Sequence, residues 1–359
     1  MAERLVLHIG VQKSGTTYLQ QLMQHRAHEL AKIGVLYQLP SRRRLRTNRI
    51  NHHELATYGL LGTEYSWVSE QQAEKERGWW ERLQDRVHGW RGTAIVSAEA
   101  LSVIRADAAR RTVEAFGCPD NTDILITARG LGKLLPSAWQ QHLRNGRSAN
   151  FESFLNQRAR ERSMGWDVLE KDPQTPMWRA FALGRLAERW ASVVGTDRVT
   201  VITNPGSPPE QLWSRFLDAA AVDGTKLSAP EKTPVHGGVT MAEAEILNSL
   251  NLNLTSAGWS VPAIKRLDKR IIDAFGERAE RGPRVSIPEG HREQVEQWND
   301  EVIAELRRSG VRVTGSIDEL GYSSGSEPDA PTVGDVAEAA GIAGKVATEW
   351  ASEQAAPDS

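Results

Sequence analysis

The stretch that most constrains this chain is Leu5–Gln20, LVLHIGVQKSGTTYLQ. Leu5 to Ile9 form a short apolar run that reads as a buried strand, and it breaks at Gly10. A polar loop follows. From Thr16 or Thr17 onward, Leu19, Leu22, Met23, Ala27 and Leu30 recur on one helical face. A strand that feeds a glycine-bearing loop and then a helix N-terminus is suited to an anion. The first helical N–H groups lack acceptors, and the helix dipole adds partial positive charge there. Lys13 adds a full charge, and Ser14, Thr16 and Thr17 add hydroxyl donors. The loop is therefore expected to hold a phosphate, although a plain strand–turn–helix capped by threonine has the same outline.

The order Gly10-Val-Gln-Lys13-Ser14-Gly15-Thr16-Thr17 is not that of a Walker loop, in which lysine follows the second glycine. A nucleotide kinase or NTPase would also need an aspartate at the end of an apolar strand to hold magnesium. The second buried strand, Thr93–Ser97, runs instead into Ala98-Glu99.

Strand-like and helix-like stretches alternate along the chain. Gly34–Tyr37 reads as extended, His52 opens a helical segment, and residues 64–91 read as helical. A helix over Asp107–Phe116 precedes a strand over Asn121–Thr127, which leads into Ala128-Arg129-Gly130. A helix over Leu131–Leu143 comes next, then a loop and short helix over Arg144–Gln157. One amphipathic helix is expected over Trp178–Val194, a strand over Arg198–Thr203 and a helix over Glu210–Ala220. This alternation predicts an α/β fold, a parallel sheet flanked by helices. Helical segments at about Met241–Leu252, Val261–Phe275 and His291–Arg308 predict a helical C-terminal part, closed by a short strand near Val311. Residues 1–320 are expected to form one domain. Gly321–Thr332 reads as a linker, and Val333, Val336, Ala340, Ala343, Val346 and Trp350 lie at the spacing of an amphipathic tail helix.

In an open parallel sheet, ligands gather at the carboxyl ends of the strands. Gly10–Thr17, Glu99 and Arg129 all sit at such ends. His52 and His53 are adjacent on a helix, so their side chains point about 100° apart and make a poor metal pair, but either imidazole suits a general base. The run Arg42–Arg49 reads as a solvated basic loop or as a clamp for an anionic group. Lys232 and His236, in a Gly-rich segment, read as part of a connecting loop.

Composition narrows the function classes. A net charge of −2 argues against general nucleic-acid binding. No window approaches the ~20 apolar residues of a membrane span. The first strand starts close to Met1, so no signal peptide is expected, and Cys118 is the single cysteine, so neither an intramolecular disulfide nor a thiolate zinc cluster is expected. The expected location is cytoplasmic. The sequence leaves the oligomeric state open, a homo-oligomer included.

The Lys13 loop resembles the 5′-phosphosulfate-binding loop of the sulfotransferases, enzymes that use 3′-phosphoadenosine 5′-phosphosulfate (PAPS) as donor. Arg129-Gly-Leu-Gly-Lys-Leu-Leu-Pro-Ser137 resembles that family's 3′-phosphate site, an arginine at a strand end and a serine eight residues on. The resemblance covers about residues 4–220; the C-terminal third is similar only in being helical. It implies a P-loop-like sulfotransferase domain that moves a sulfonate group from PAPS to a hydroxyl or amine, with no metal. Gln12, Lys13, Ser14, Gly15, Thr16, Thr17, Arg129 and Ser137 would bind the donor, and Lys13 would stabilise the leaving phosphate. Glu99 takes the topological place of a base that is histidine in cytosolic members and glutamate in other branches, with His53 and then His52 as alternatives. The acceptor could be a small molecule, glycan or lipid. A non-catalytic PAPS-binding protein would keep the Lys13 loop and Arg129 and dispense with Glu99 and the histidines.

Overall fold

Six strands of the computed structural model build one all-parallel sheet: β1 (Arg4–His8), β2 (Val35–Leu36), β3 (Thr93–Ser97), β4 (Thr122–Ala128), β5 (Val199–Thr203) and β6 (Arg312–Thr314). The structure describes residues 2–37, 52–229, 238–278, 281–326 and 330–355. The strand order is β2-β3-β1-β4-β5-β6, so β1 lies inside the sheet between β3 and β4. The chain runs outward from β1 to β2, returns through β3, and then crosses to β4 on the other side. The strand order thus reverses at β1, and that is where an open α/β sheet leaves a crevice at its carboxyl edge.

The strands read as apolar runs because both faces of a parallel sheet are covered. Val6, Ile95, Leu125 and Ile202 share one core with Leu19, Leu22 and Met23 of the helix Thr16–His25 and with Leu212, Trp213 and Phe216 of the helix Pro209–Ala219. Each such side chain contributes about 1.5–3 kcal/mol by leaving water. This packing fixes the first helix against β1 and so fixes the loop between them. The helix Leu183–Val194 packs on β4 and β5 and against the helix Ala106–Phe116.

The chain divides into two units. The first comprises Met1–Leu131, Glu161–Glu231 and Trp298–Gly321, and contains the whole sheet. The second comprises Gly132–Arg160, Lys232–Gln297 and Tyr322–Ser359. In the second unit a capping box starts the helix Met241–Ser256: Thr240 and Glu243 each satisfy the other's backbone N–H. The tail helix Val333–Ala355 packs against that helix and against Val261–Phe275. Arg270 pairs with Glu353 at 2.7 Å and lies over Trp350, and Arg278 pairs with Glu338 at 2.6 Å. No described helix is long and apolar enough to cross a membrane.

The α/β class, the parallel sheet and the helical C-terminal part are as the sequence predicts. Three local expectations change. The single helix over Trp178–Val194 is two, Pro176–Phe181 and Leu183–Val194, with Ala182 non-helical between them. The first piece is anchored separately: Arg179, fully buried, donates to the carbonyls of Val103, Leu169 and Asp172. The short helix within Arg144–Gln157 is Phe151–Ser163, longer and later than expected. Within 64–91 the helix begins only at Glu70, where Ser69 accepts the Gln72 N–H. The basic run Arg42–Arg49, Lys232 and His236 lie outside the described residues, as does part of Gly321–Thr332.

The end of β4 is tied to the last segment of the first unit. Buried Asn299 accepts the Leu131 N–H at 2.8 Å and donates to the Leu320 carbonyl at 3.0 Å. A Cβ on Gly130 would stand 2.1 Å from that same carbonyl, so only glycine allows the approach. Asn299→Leu leaves two buried backbone groups without partners and should destabilise the fold by about 2–4 kcal/mol in chemical denaturation.

Candidate active site

The site is built on a turn that side chains hold from below. After β1, Gly10 passes so close to its neighbours that a Cβ there would lie 1.9 Å from Thr127 Oγ1 and 2.9 Å from His8 Nε2. The loop then turns through two left-handed residues, Lys13 at φ 66° and Gly15 at φ 101°. Gly15 takes this geometry freely. At Lys13 it costs about 1–2 kcal/mol, which the surrounding contacts must offset. Those contacts are specific: Asn204, at the end of β5, donates to the Ser14 carbonyl at 2.7 Å, and Arg129 donates to the Lys13 carbonyl at 3.3 Å. Gly15 is the N-cap of the first helix and offers no side-chain oxygen to its first amides.

Beneath the loop runs a chain of hydrogen bonds whose direction can be worked out. Ser14 Oγ donates to the Val11 carbonyl at 2.6 Å, so its contact with Thr127 Oγ1 at 2.7 Å must be donated by the threonine. The Thr127 proton being committed, His8 Nε2 donates to Thr127 Oγ1 at 3.2 Å. His8 Nδ1 then accepts from Ser97 Oγ at 2.8 Å, and Ser97 Oγ accepts from Gln20 Nε2 at 3.0 Å. His8, Ser14, Ser97 and Thr127 are all 0 % exposed. Burial holds the His8 imidazole neutral, its pKa lowered to about 3, and the partners fix it as the Nε2–H tautomer.

Above the loop the groups are ionisable. Glu99 opens the turn after β3, and its Oε2 accepts the Thr16 hydroxyl at 2.5 Å. Burial raises the Glu99 pKa, opposed by the Thr16 hydrogen bond and the charge of Lys13. A neighbouring carboxylate, Glu54, is pushed up to about 7, by burial first and then by the charge of Glu99. Glu54 accepts the Ala100 N–H at 3.2 Å and the Tyr58 hydroxyl at 3.3 Å.

The structure thus brings Lys13, Thr16, Glu99 and Arg129 together at the carboxyl edge around β1. Gln12 and Lys13 are half-buried in the loop and Thr17 is exposed on the first helical turn. Ser14 is buried, with its hydroxyl turned inward into the chain described above. His53 is buried, and its Nδ1 accepts the Ser97 N–H at 3.1 Å, so the neutral ring carries its proton on Nε2; burial lowers its pKa to about 3. His52 packs its ring edge against Trp79 at 4.3 Å. Ser137 is half-buried on the helix Leu131–Arg144 and belongs to the second unit. Among the described residues no three His, Cys, Asp or Glu side chains converge in a way that could hold a metal ion. Sequence reasoning missed Glu54, Asn204 and the His8–Thr127 contact. Only His8 left a signal, as a polar residue inside an apolar strand, which had to find partners.

The neutral His8 makes a measurable prediction. Its folded pKa lies near 3 against about 6.5 in the unfolded chain, so between those values the unfolded chain binds a proton that the fold refuses. Stability from this group is complete above about pH 6.5 and is lost as pH falls toward 3; His53 acts in the same sense. In chemical denaturation, the stability gap between wild type and His8→Asn should therefore shrink from pH 7 to pH 4. A gap independent of pH would contradict the assignment.

No protein-family model matches the chain, and no curated protein matches it. Among solved structures it is similar to the crystal structure of a sulfotransferase from Alicyclobacillus acidocaldarius. The match has 14% sequence identity and a TM-score of 0.50, and covers 87% of this chain and 97% of that one. At that identity the likeness is one of fold: this chain has the architecture of that sulfotransferase.

Proposed function

We propose that this protein is a PAPS-dependent sulfotransferase whose donor lies on the Lys13–Thr17 loop. The observation that carries the reading is the hydrogen bond from Thr16 at the end of that loop to Glu99, which sets a half-buried carboxylate and the Lys13 charge at the same strand ends. The fold likeness to a sulfotransferase supports it.

Sulfuryl transfer resembles phosphoryl transfer in its demands: an in-line displacement in which the protein positions groups and neutralises charge. In this reading the acceptor oxygen or nitrogen attacks sulfur, and the bond from sulfur to the bridging oxygen breaks. The electron pair goes to the 5′-phosphate, and the Lys13 ammonium stabilises that developing charge. The loop amides, that of Thr16 among them, with the side chains of Gln12 and Thr17, hold the sulfonate and 5′-phosphate oxygens, while the Thr16 hydroxyl stays with Glu99. Ser14 contributes by shaping the loop from below. Arg129 receives the 3′-phosphate, for which a guanidinium fork is an apt donor. Glu99 takes the proton from the acceptor. Burial raises its pKa and so makes it a stronger base than an exposed carboxylate. Glu99 is preferred over His53, whose Nδ1 is occupied by a backbone N–H, and over His52, whose ring is packed on Trp79.

The test is release of adenosine 3′,5′-bisphosphate from PAPS in the presence of phenolic, sugar and long-chain alcohol acceptors. Wild type should release it in an acceptor-dependent way, and Lys13→Ala and Glu99→Gln should each reduce the rate by about 100-fold or more. Consumption of ATP–magnesium in place of PAPS would reverse the reading.

A further inference from the structure

Two carboxylates sit at the turn after β3, and only one of them faces the loop. Glu54 is the third residue of the helix His52–Leu61. Its Oε2 accepts the Ala100 N–H at 3.2 Å, and the Glu99 N–H donates to the same carboxylate. Its Oε1 accepts the Tyr58 hydroxyl at 3.3 Å, and the Tyr58 oxygen accepts Trp67 Nε1 at 3.3 Å. Glu54 therefore holds the backbone that carries Glu99 and, with its other oxygen, the Tyr58 hydroxyl, while Glu99 directs its own carboxylate toward Thr16 and the Lys13 charge. Trp67 is 44% exposed, so this row of groups leads from the turn to solvent.

We propose that Glu54 is a positioning residue for Glu99: it clamps the backbone at the start of the Glu99 turn, and its negative charge, when present, makes Glu99 a stronger base. The inference rests on the reading of Glu99 as the base. Replacing both carboxylates by water-exposed ones would remove the effect, because like charges repel strongly only where solvent is excluded. The groups acting on Glu54 are Glu99 across the turn, Tyr58 on its own helix, and the Glu99 and Ala100 N–H groups; Tyr65 beside it is held neutral by burial. Thr16 and Lys13 act on Glu99 from the loop.

The consequence is a coupled titration in two steps that belong to the pair. As pH rises through about 7, Glu54 ionises, and its charge makes Glu99 a stronger base. Transfer should therefore keep rising across neutrality. In Glu54→Gln the amide oxygen preserves the clamp but the charge is gone, so that rise should vanish, leaving one limb at lower pH. In Glu54→Ala the clamp is gone too, and kcat should fall at least tenfold below that of Glu54→Gln.

The experiment combines an infrared titration of the protonated carboxyl band with pH profiles of bisphosphate release from PAPS. Calorimetric affinity for the bisphosphate, within about twofold of wild type, confirms that each variant is folded. A wild-type band that disappears with a midpoint near 7, is missing in Glu54→Gln, and moves down by about one pH unit in Glu99→Gln supports the proposal. A Glu54→Gln chain with the wild-type pH profile, or a band unmoved by Glu99→Gln, overturns it. If the infrared result holds but wild type releases no bisphosphate from PAPS, the coupling of the carboxylates stands and the sulfotransferase reading fails.

Discussion

The site depends on one close approach, that of the Gly10 backbone to Thr127 and His8. A side chain at Gly10 would occupy the space of the Thr127 hydroxyl, and without that hydroxyl the chain from Ser14 to His8 has no middle. Four polar side chains with no solvent exposure must satisfy one another, and each has one arrangement that does so. The result is a loop whose shape is set from below, by β1, β3 and β4, before any ligand arrives. The left-handed Lys13 is an effect of this support, since an unsupported loop would relax to a less strained conformation.

A rigid loop gives the charged groups above it fixed places. Lys13 and Arg129 bring cations, Glu99 and Glu54 bring carboxylates, and all four stand at the carboxyl edge where the strand order reverses around β1. Partial burial is what makes the arrangement useful. In bulk water two charges about 4 Å apart interact by about 1 kcal/mol, and the same pair near a protein surface by several times more. Burial therefore keeps the carboxylates basic, while Thr16 and Lys13 keep Glu99 from rising without limit. That balance is the physical content of the proposed base.

Much of this was legible in the sequence because parallel sheets obey simple rules. Apolar runs mark β1, β3, β4 and β5, and the residues just beyond them must lie at one edge, which is how Lys13, Glu99 and Arg129 could be grouped from spacing alone. Glu54 could not, because it lies on a helix and meets the Glu99 turn only through tertiary packing. Asn204 could not be seen as a tether, since its partner is a backbone carbonyl 190 residues away. The break at Ala182 lies beside the buried anchoring of Arg179, whose bond to the distant Val103 carbonyl no local pattern encodes. His8 was the missed clue: a polar residue in a buried strand implies a polar network, and that network underlies the loop.

The most direct measurement is calorimetric binding of adenosine 3′,5′-bisphosphate, compared with ADP and with ATP–magnesium, to wild type and Arg129→Ala. The account predicts micromolar affinity for the bisphosphate, weak binding of ATP–magnesium, and loss of about tenfold or more of the bisphosphate affinity in the mutant, as expected for a charge-assisted contact worth at least about 1.4 kcal/mol. Preference for ATP–magnesium, or indifference to the arginine, would contradict it.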